Sequence, residues 1–536
     1  MTYQLVLYGG MIVDGSGSPA RKGTVACRDG KIVLLPADSR PAGDKMIDVT
    51  GLWVCPGFID PHSHGDAYIG KACNSLAKLS QGITTHIGGQ CGSSHFPVRL
   101  ERLNDIKDVL GLKKDESTDY IKAFSTFVGY LEHVNRLSFP ENIGFFTGHE
   151  VLRLSAMGYD NRRPTPKEMD DMKAALEETL QNGAMGMSTG LIYIPGSYAD
   201  IDELTQLCHI LARYDRIYAT HMRDEGDNVL AAMEEAIELG RRTGCRVNIS
   251  HLKVCGKANH GLAPKMLDLI HAARAEGIRV SADQYPYLAS STSLMYCIPH
   301  WHYSSGFEQA LSYIQSREGR EQIKSEILNP ESRFDNIYMG CGGFDGALVA
   351  RCAVTKDAEG KTVVQWGRLN GMDEFEAFFA LLTRNHGDVT GIYFDTDEKD
   401  VITIMQDRDL MVGTDGAIGN PDDLVHPRTF GAFPRALGLY ARDKGVMPME
   451  EMIRKMTSRT AEVFSLNTKG RIADGMDADL VILNPETVRD TADFDCPTRL
   501  ADGIEQVVVA GKVVYQNHKL TGENPGKVVL AGRSSI

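Results

Sequence analysis

Between residues 54 and 414, short apolar runs alternate with stretches whose charges fall at helical spacing, and this limits the fold more than any other feature. Eight such runs lie at 54–60, 84–88, 143–147, 186–189, 217–221, 247–251, 279–283 and 410–414. Helical patterns such as 166–181, 227–243 and 263–276 stand between them. A strand–helix repeat places a parallel sheet under helices, either closed as a barrel or open and doubly wound. Eight strands fit the closed form, so the expected class is α/β with a (β/α)8 TIM-like barrel.

The two ends of the chain have a different texture. Runs at 4–8, 11–13, 24–28 and 31–35 near the start, and 480–483, 504–509 and 512–515 near the end, are short and divided by Gly, Asp or Pro turns. They predict small antiparallel strands, and together a β-sandwich domain built from both termini, residues 1–56 and 468–536. The barrel then occupies residues 57–467. The span near 288–390 is too long for one connection and is expected to hold an inserted subdomain. Within it, 341–345 and 363–366 are expected to be irregular or extended.

Composition removes several function classes. The net charge of −14, with no Lys/Arg-dense stretch, argues against a nucleic-acid partner. No uninterrupted apolar run is long enough for a membrane span, and the first residues, Met1-Thr2-Tyr3-Gln4, lack a basic segment and an apolar core. Eleven cysteines scattered without a framework suggest reduced thiols, hence a cytoplasmic protein.

Most of the apolar runs finish on a side chain that can bind metal or ionise. The first ends Asp60-Pro61-His62-Ser63-His64, the second Gly89-Gln90-Cys91-Gly92, the fifth Thr220-His221, the sixth Ser250-His251 and the eighth Thr414-Asp415. In a barrel the C-terminal strand ends share one mouth, so these residues would converge. Alternate residues of an extended strand point the same way, which lets His62 and His64 face one ion. Thiolate and neutral imidazole favour zinc, and an incomplete protein shell leaves room for water. His149, after the third strand, is expected near the mouth in a supporting or substrate-contact role. His300-Trp301-His302 repeats the alternate spacing inside the insertion without strand-end companions, and is read as aromatic packing.

Several segments carry a family resemblance. Cys55-Pro56-Gly57-Phe58-Ile59-Asp60-Pro61-His62-Ser63-His64 resembles the strand-one signature of the amidohydrolase superfamily, and Gly475-Met476-Asp477-Ala478-Asp479-Leu480-Val481 its return to the C-terminal β-domain. Gly148-His149-Glu150-Val151-Leu152-Arg153, Thr220-His221-Met222-Arg223, Ser250-His251-Leu252-Lys253, Tyr285-Pro286-Tyr287, Thr414-Asp415-Gly416 and His426-Pro427-Arg428 are similar to the D-aminoacylase, or N-acyl-D-amino-acid deacylase, group. The resemblance implies a tightly held zinc on Cys91, His221 and His251, and a second, weaker metal position at His62, His64 and Asp415. Strand four, Gly186-Met187-Ser188-Thr189, has no lysine to bridge two metals, which disfavours hydantoinase-like readings. Gln90 departs from the asparagine expected before the cysteine.

The expected reaction is hydrolysis of an N-acyl-D-amino acid to a carboxylate and a free D-amino acid. Bound zinc can lower the pKa of its water from about 15.7 to about 7, and Asp415 would serve as general base and then acid. Arg428 would hold the substrate carboxylate in a two-pronged pair, with Tyr285, Ser291 and Lys253 as further contacts. The stretch 288–298 carries no cation, which favours an uncharged D-residue unless Arg153, Arg223 or the insertion supplies one. Hydrolysis of D-terminal dipeptides or cyclic amides, and a non-catalytic metal-binding barrel, are the competing readings.

Overall fold

The computed structural model describes residues 2–102, 122–303, 306–331 and 334–532. Its centre is a parallel barrel of eight strands: β1 (Phe58–Asp60), β2 (Ile83–Gly88), β3 (Asn142–Phe145), β4 (Gly186–Gly190), β5 (Ile217–His221), β6 (Arg246–Ile249), β7 (Val280–Gln284) and β8 (Met411–Val412). Each strand pairs in parallel with the next in chain order, the β3–β4 contact running through Thr147–Gly148. The ring closes where Ser63 bridges Gly416 and the Asp415 amide donates to the His62 carbonyl at 2.8 Å.

Strand alternation divides the core. On β5, Ile217 and Ala219 join Ile59, Ile87 and Met185 inside the barrel, while Tyr218 packs outward with the surrounding helices. On β6, Val247 and Ile249 face the helices, and Asn248 donates to Asp283 Oδ2 at 2.7 Å. The helices start where their sequences provide caps: Pro166–Gln181 opens on a Thr165–Glu168 capping box, and Ile201–Arg213 on an Asp200 side chain that accepts from the Glu203 amide.

The apolar run at 54–60 is not one strand. Trp53–Pro56 pairs antiparallel with Leu480–Leu483 in a peripheral sheet, and β1 begins after Gly57. A side chain at Gly57 would lie 2.1 Å from Thr84 Oγ1, so only glycine lets the chain pass into the barrel here.

Outside the barrel stand a four-stranded sheet from residues 3–48 and a seven-stranded sheet whose strands come from residues 11–22, 53–56 and 480–520. Leu480 and Ile482 turn toward the four-stranded sheet with Leu5, Leu7, Val25 and Cys27, whereas Val481 and Leu483 turn toward barrel helices with Phe433 and Leu437. Asp29-Gly30 and Ala510-Gly511, with positive φ at both residues of each pair, make the tight hairpin turns that hold these registers. Residues 526–531 leave the sheets, and Val529 and Ala531 pack beneath the barrel against Ile59 and Phe464.

Ser290–Ser293, Ala347–Cys352 and Val389–Tyr393 form a separate antiparallel sheet, packed with helices around Trp366, Phe378 and Tyr393. Contrary to the sequence expectation, 363–366 is helical, in Val363–Leu369, because Thr362 and Gln365 cap each other's backbone amides. Residues 341–345 end one short helix and begin a 3-10 turn, the irregular path expected of them.

Candidate active site

All six strand-end residues meet at the barrel mouth. Donor atoms of His62, His64 and Cys91, of Cys91, His221 and His251, and of His62, His251 and Asp415 form three groups, each within 4.8 Å. Cys91 Sγ lies 3.3 Å from His62 Nε2 and 3.4 Å from His251 Nε2. Asp415 Oδ1 stands 3.1 Å from His64 Nε2 and 3.5 Å from His62 Nε2.

The backbone bends sharply to aim these side chains. Cys91, His251 and Asp415 all have positive φ, a left-handed conformation that costs a non-glycine residue about 1–3 kcal/mol. Such strain persists only where the surroundings hold it. Gln90 Nε2 donates to the Pro61 carbonyl at 2.7 Å, tying the Cys91 loop to the end of β1. The His251 amide donates to Asp283 Oδ1 at 2.8 Å, and that oxygen is also 3.4 Å from His62 Nδ1.

The residues present suit a zinc ion. Both ring nitrogens of His221 are buried and make no hydrogen bond, although nearly all buried polar atoms in proteins have a partner. Burial opposes ionisation of the Cys91 thiol, but the His62 and His251 imidazoles outweigh it and hold the pKa well below the usual thiol range. A thiolate, imidazoles and a carboxylate around one point match zinc chemistry. Burial likewise opposes the Asp415 charge, and Arg428, His251 and His62 together keep its pKa well below the usual carboxylate range.

Arg428 opens the helix Arg428–Arg435 that follows β8. Its Nη2 pairs with Asp415 Oδ2 at 2.9 Å, and its guanidinium lies 4.5 Å from the Tyr285 ring centre. Arg428 Nε and Nη1 and the Tyr285 hydroxyl are buried without partners. Two guanidinium nitrogens and a phenol therefore wait at the edge of a cavity of about 950 Å³ whose walls include His64, Cys91, His221 and His251. Ser291 borders the same cavity, but its hydroxyl donates to the Gly391 carbonyl at 2.8 Å.

Other predicted residues are placed differently. His149 Nε2 sits 2.9 Å from Glu203, which also receives Arg153 at 3.2 Å, so this histidine belongs to a buried ion-pair network outside the cavity wall. Lys253 borders the cavity and binds Glu225 at 2.6 Å and His251 Nδ1 at 2.9 Å. It therefore stands in a buried ion pair at the cavity wall. His302 stacks on Tyr313 and bonds Glu326 at 2.7 Å, and Trp301 donates to the same carboxylate, so His302 and Trp301 are packing residues of the insertion.

Four residues in or around the site escaped the sequence reading. Glu225, four residues after His221, accepts from Lys253 and lies 3.0 Å from His251 Nδ1, where it can orient that imidazole, and 3.4 Å from His221 Nε2. Tyr193 packs edge-on against the His221 ring at 5.0 Å and borders the cavity. Glu150 is a buried carboxyl on the cavity wall, its pKa pushed well above the ordinary range by burial and then by the Cys91 charge. Lys78 binds Asp60 Oδ2 at 2.9 Å, Thr414 Oγ1 at 2.9 Å and the Gly416 carbonyl at 3.0 Å, joining the ends of β1 and β8. A lysine inside the apolar run Leu76-Ala77-Lys78-Leu79 is the one sequence signal for it. Lys78→Met leaves Asp60 buried without its cation, and should cost about 3–5 kcal/mol. Denaturant unfolding of the purified variant measures that loss.

Known proteins resemble this chain along nearly its whole length. A family model described as "Amidohydrolase family" matches residues 45–297 and 369–515. A D-aminoacylase of Alcaligenes xylosoxydans xylosoxydans is 34% identical over 98% of this chain and 97% of its own length. An N-acyl-D-aspartate deacylase from the same organism is also 34% identical, over 98% of this chain and 95% of its own. Among solved structures, the N-acyl-D-glutamate deacylase of Bordetella bronchiseptica, complexed with zinc and a phosphonate mimic of the tetrahedral intermediate, superimposes with a TM-score of 0.83. It is 31% identical, and the match covers 99% of this chain and 100% of that one. Matched along nearly its whole length by sequence and by fold, the chain belongs to the amidohydrolase family, within its D-aminoacylase group.

Proposed function

We propose that the protein is a zinc-dependent hydrolase of N-acyl-D-amino acids, releasing a carboxylate and a free D-amino acid. The observation that carries this reading is the meeting of a zinc-competent donor cluster with a buried, half-paired Arg428 in one cavity. Cys91, His221 and His251 would hold the zinc, with His62, His64 and Asp415 around a second, weaker position. Zinc supplies Lewis acidity and a water that ionises near neutral pH.

The chain's own groups do the rest. Arg428 offers its free nitrogens to the substrate carboxylate, and Tyr285 and Lys253 flank that end. Asp415 takes a proton from the attacking water and returns it to the departing nitrogen. The Tyr193 hydroxyl stays neutral because burial raises its pKa, and beside His221 it can donate to the scissile carbonyl oxygen.

The cavity favours an uncharged D-side chain. Met295, Phe307, Leu311 and Ile337 make an apolar wall contributed by the insertion. Arg153 and Arg223 are committed to Glu203 and Glu235, and Arg351 at the cavity edge is paired with Asp388. Relatives named for D-aspartate and D-glutamate substrates each match this chain at 34% identity, the same as D-aminoacylase, so this wall, rather than overall similarity, supports the preference. Eleven cysteines without a disulfide support a cytoplasmic location, and no helix among the described residues is long and apolar enough to cross a membrane.

Metal analysis together with a panel of N-acetyl-D- and N-acetyl-L-amino acids tests the reading. Bound zinc with D-selective cleavage of apolar derivatives is expected; bound zinc without cleavage of any panel member would overturn the assignment. Arg428→Met should remove about 2–5 kcal/mol of carboxylate binding, a fall in kcat/KM of roughly 30-fold or more, mostly in KM. Steady-state kinetics of the variant reads this directly.

A further inference from the structure

A second cavity, of about 520 Å³, adjoins the reaction cavity and has no task in the mechanism above. The two share Ile192, Tyr296 and Asp335 as walls. Leu191, Ala232 and Ile298, all buried, and the half-buried Phe334 make the rest of its apolar lining. Asn228 and Ala231 on its rim are exposed, so it also opens to solvent. The charged side chains around it are already committed. Arg223 pairs with Glu235 at 2.9 Å and donates to the Ser197 and Ala199 carbonyls, each at 2.9 Å. Asp224 accepts from the Gly226 and Asn228 amides at 2.8 and 3.0 Å and from Asn228 Nδ2 at 3.0 Å. Burial, and then the neighbouring Asp224 carboxylate, push the Asp335 pKa well above the ordinary range, which favours its neutral form. Burial and then Arg223 lower the His300 pKa, so that ring is neutral near pH 7. What these walls leave uncommitted is chiefly apolar surface.

Strand order tells which part of a substrate would reach this cavity. Leu191 and Ile192 follow β4, whereas Arg428 follows β8. In a ring of eight strands the fourth and eighth face each other across the mouth. A trans amide sets its acyl carbon and its Cα on opposite sides of the C–N bond. With the substrate carboxylate on Arg428 and the scissile carbonyl at the zinc cluster, the acyl chain leaves past Tyr193 toward Ile192 and Tyr296. The Tyr193 and Tyr296 rings meet edge-on at 4.6 Å and form the boundary that such a chain would follow.

We propose that the second cavity is an acyl pocket, and that the preferred substrates carry an unbranched fatty acyl group of medium length on the D-amino acid. This rests on the deacylase reading of the site. The first carbons of the chain pass Tyr193 and Tyr296, and the tail lies among Leu191, Ala232, Ile298 and Phe334. Burial of the methylenes there is the source of the preference, because it removes apolar surface from water. One water breaks the amide C–N bond: its hydroxyl goes to the carbonyl carbon and its hydrogen to the departing nitrogen. A fatty acid and a free D-amino acid leave.

The test uses the zinc-loaded enzyme and one D-amino acid, the best of the acetyl panel, carrying acetyl, butyryl, hexanoyl or octanoyl groups. Each buried methylene is worth about threefold to fourfold. Octanoyl should therefore exceed acetyl by about tenfold or more in kcat/KM, chiefly through KM. Ala232→Phe, which fills the pocket, should lower the octanoyl-to-acetyl ratio by about tenfold. If that variant does not fold, Ala231→Trp at the exposed rim of the same cavity reads the same ratio. Octanoyl cleaved no better than acetyl by the wild type overturns the proposal without any variant, as does an unchanged ratio in a folded variant. Failure to cleave any of the four removes the deacylase reading itself. Cleavage of all four without a gain in length removes only the acyl pocket.

Discussion

Asp415→Asn is expected to lower kcat by about 10²–10⁴-fold, the range for loss of a positioned general acid–base. Asparagine fills the same space and can still meet Arg428, so neither KM nor the fold should change comparably. Zinc bound through Cys91, His221 and His251 should remain, because the carboxylate belongs to a different group of donors. The measurement is kcat on an N-acetyl-D-amino acid beside zinc content of the same sample. A variant that keeps zinc and full kcat would take the proton-transfer role away from Asp415. One that loses zinc as well would instead place the carboxylate in the tight site.

Cys91→Ala should have an effect as large by a different route. Cys91 lies in two of the three donor groups, and its thiolate is the softest ligand in the cluster. Without it the site should release zinc, and kcat/KM should fall by at least about 10³-fold, since Lewis-acid stabilisation is worth several kcal/mol. Ligand-linked stability should fall too, because an ion that binds only the folded state stabilises it by mass action. Melting curves with and without added zinc separate the two contributions. Wild type should melt higher with zinc present, whereas the variant should respond weakly. A Cys91→Ala protein that retains tightly bound zinc would exclude this thiol as a ligand.

The contrast between Asp415 and Cys91 also explains why their loops are strained. Both residues leave strand ends in the left-handed region, which straight continuation of β2 or β8 could not provide. The network from Lys78 through Asp60 to Thr414 holds the β1 and β8 ends at fixed separation. Its loss in Lys78→Met is therefore expected to show first as reduced stability and, as a consequence, in weaker retention of zinc.

The barrel and its candidate ligands were legible in short stretches of sequence. Strand and helix periods are local properties, and a histidine, cysteine or aspartate at the end of a buried strand announces itself within a few residues. The His62-Ser63-His64 alternation needs only an extended backbone to face one ion. The surroundings of those ligands came from tertiary contacts instead. The sequence sets His149 near the mouth, but Glu203, 54 positions on, receives its ring. Glu150, its immediate neighbour, reached the cavity because the first turn of its helix aims the two side chains apart. Lys78 found its partner in Thr414, 336 positions away, and the pairing of Arg351 with Asp388 withdrew a cation that the insertion would otherwise have offered to the substrate. Whether a buried polar group is paired or free depends on residues brought together from distant parts of the chain, and no local pattern records that meeting.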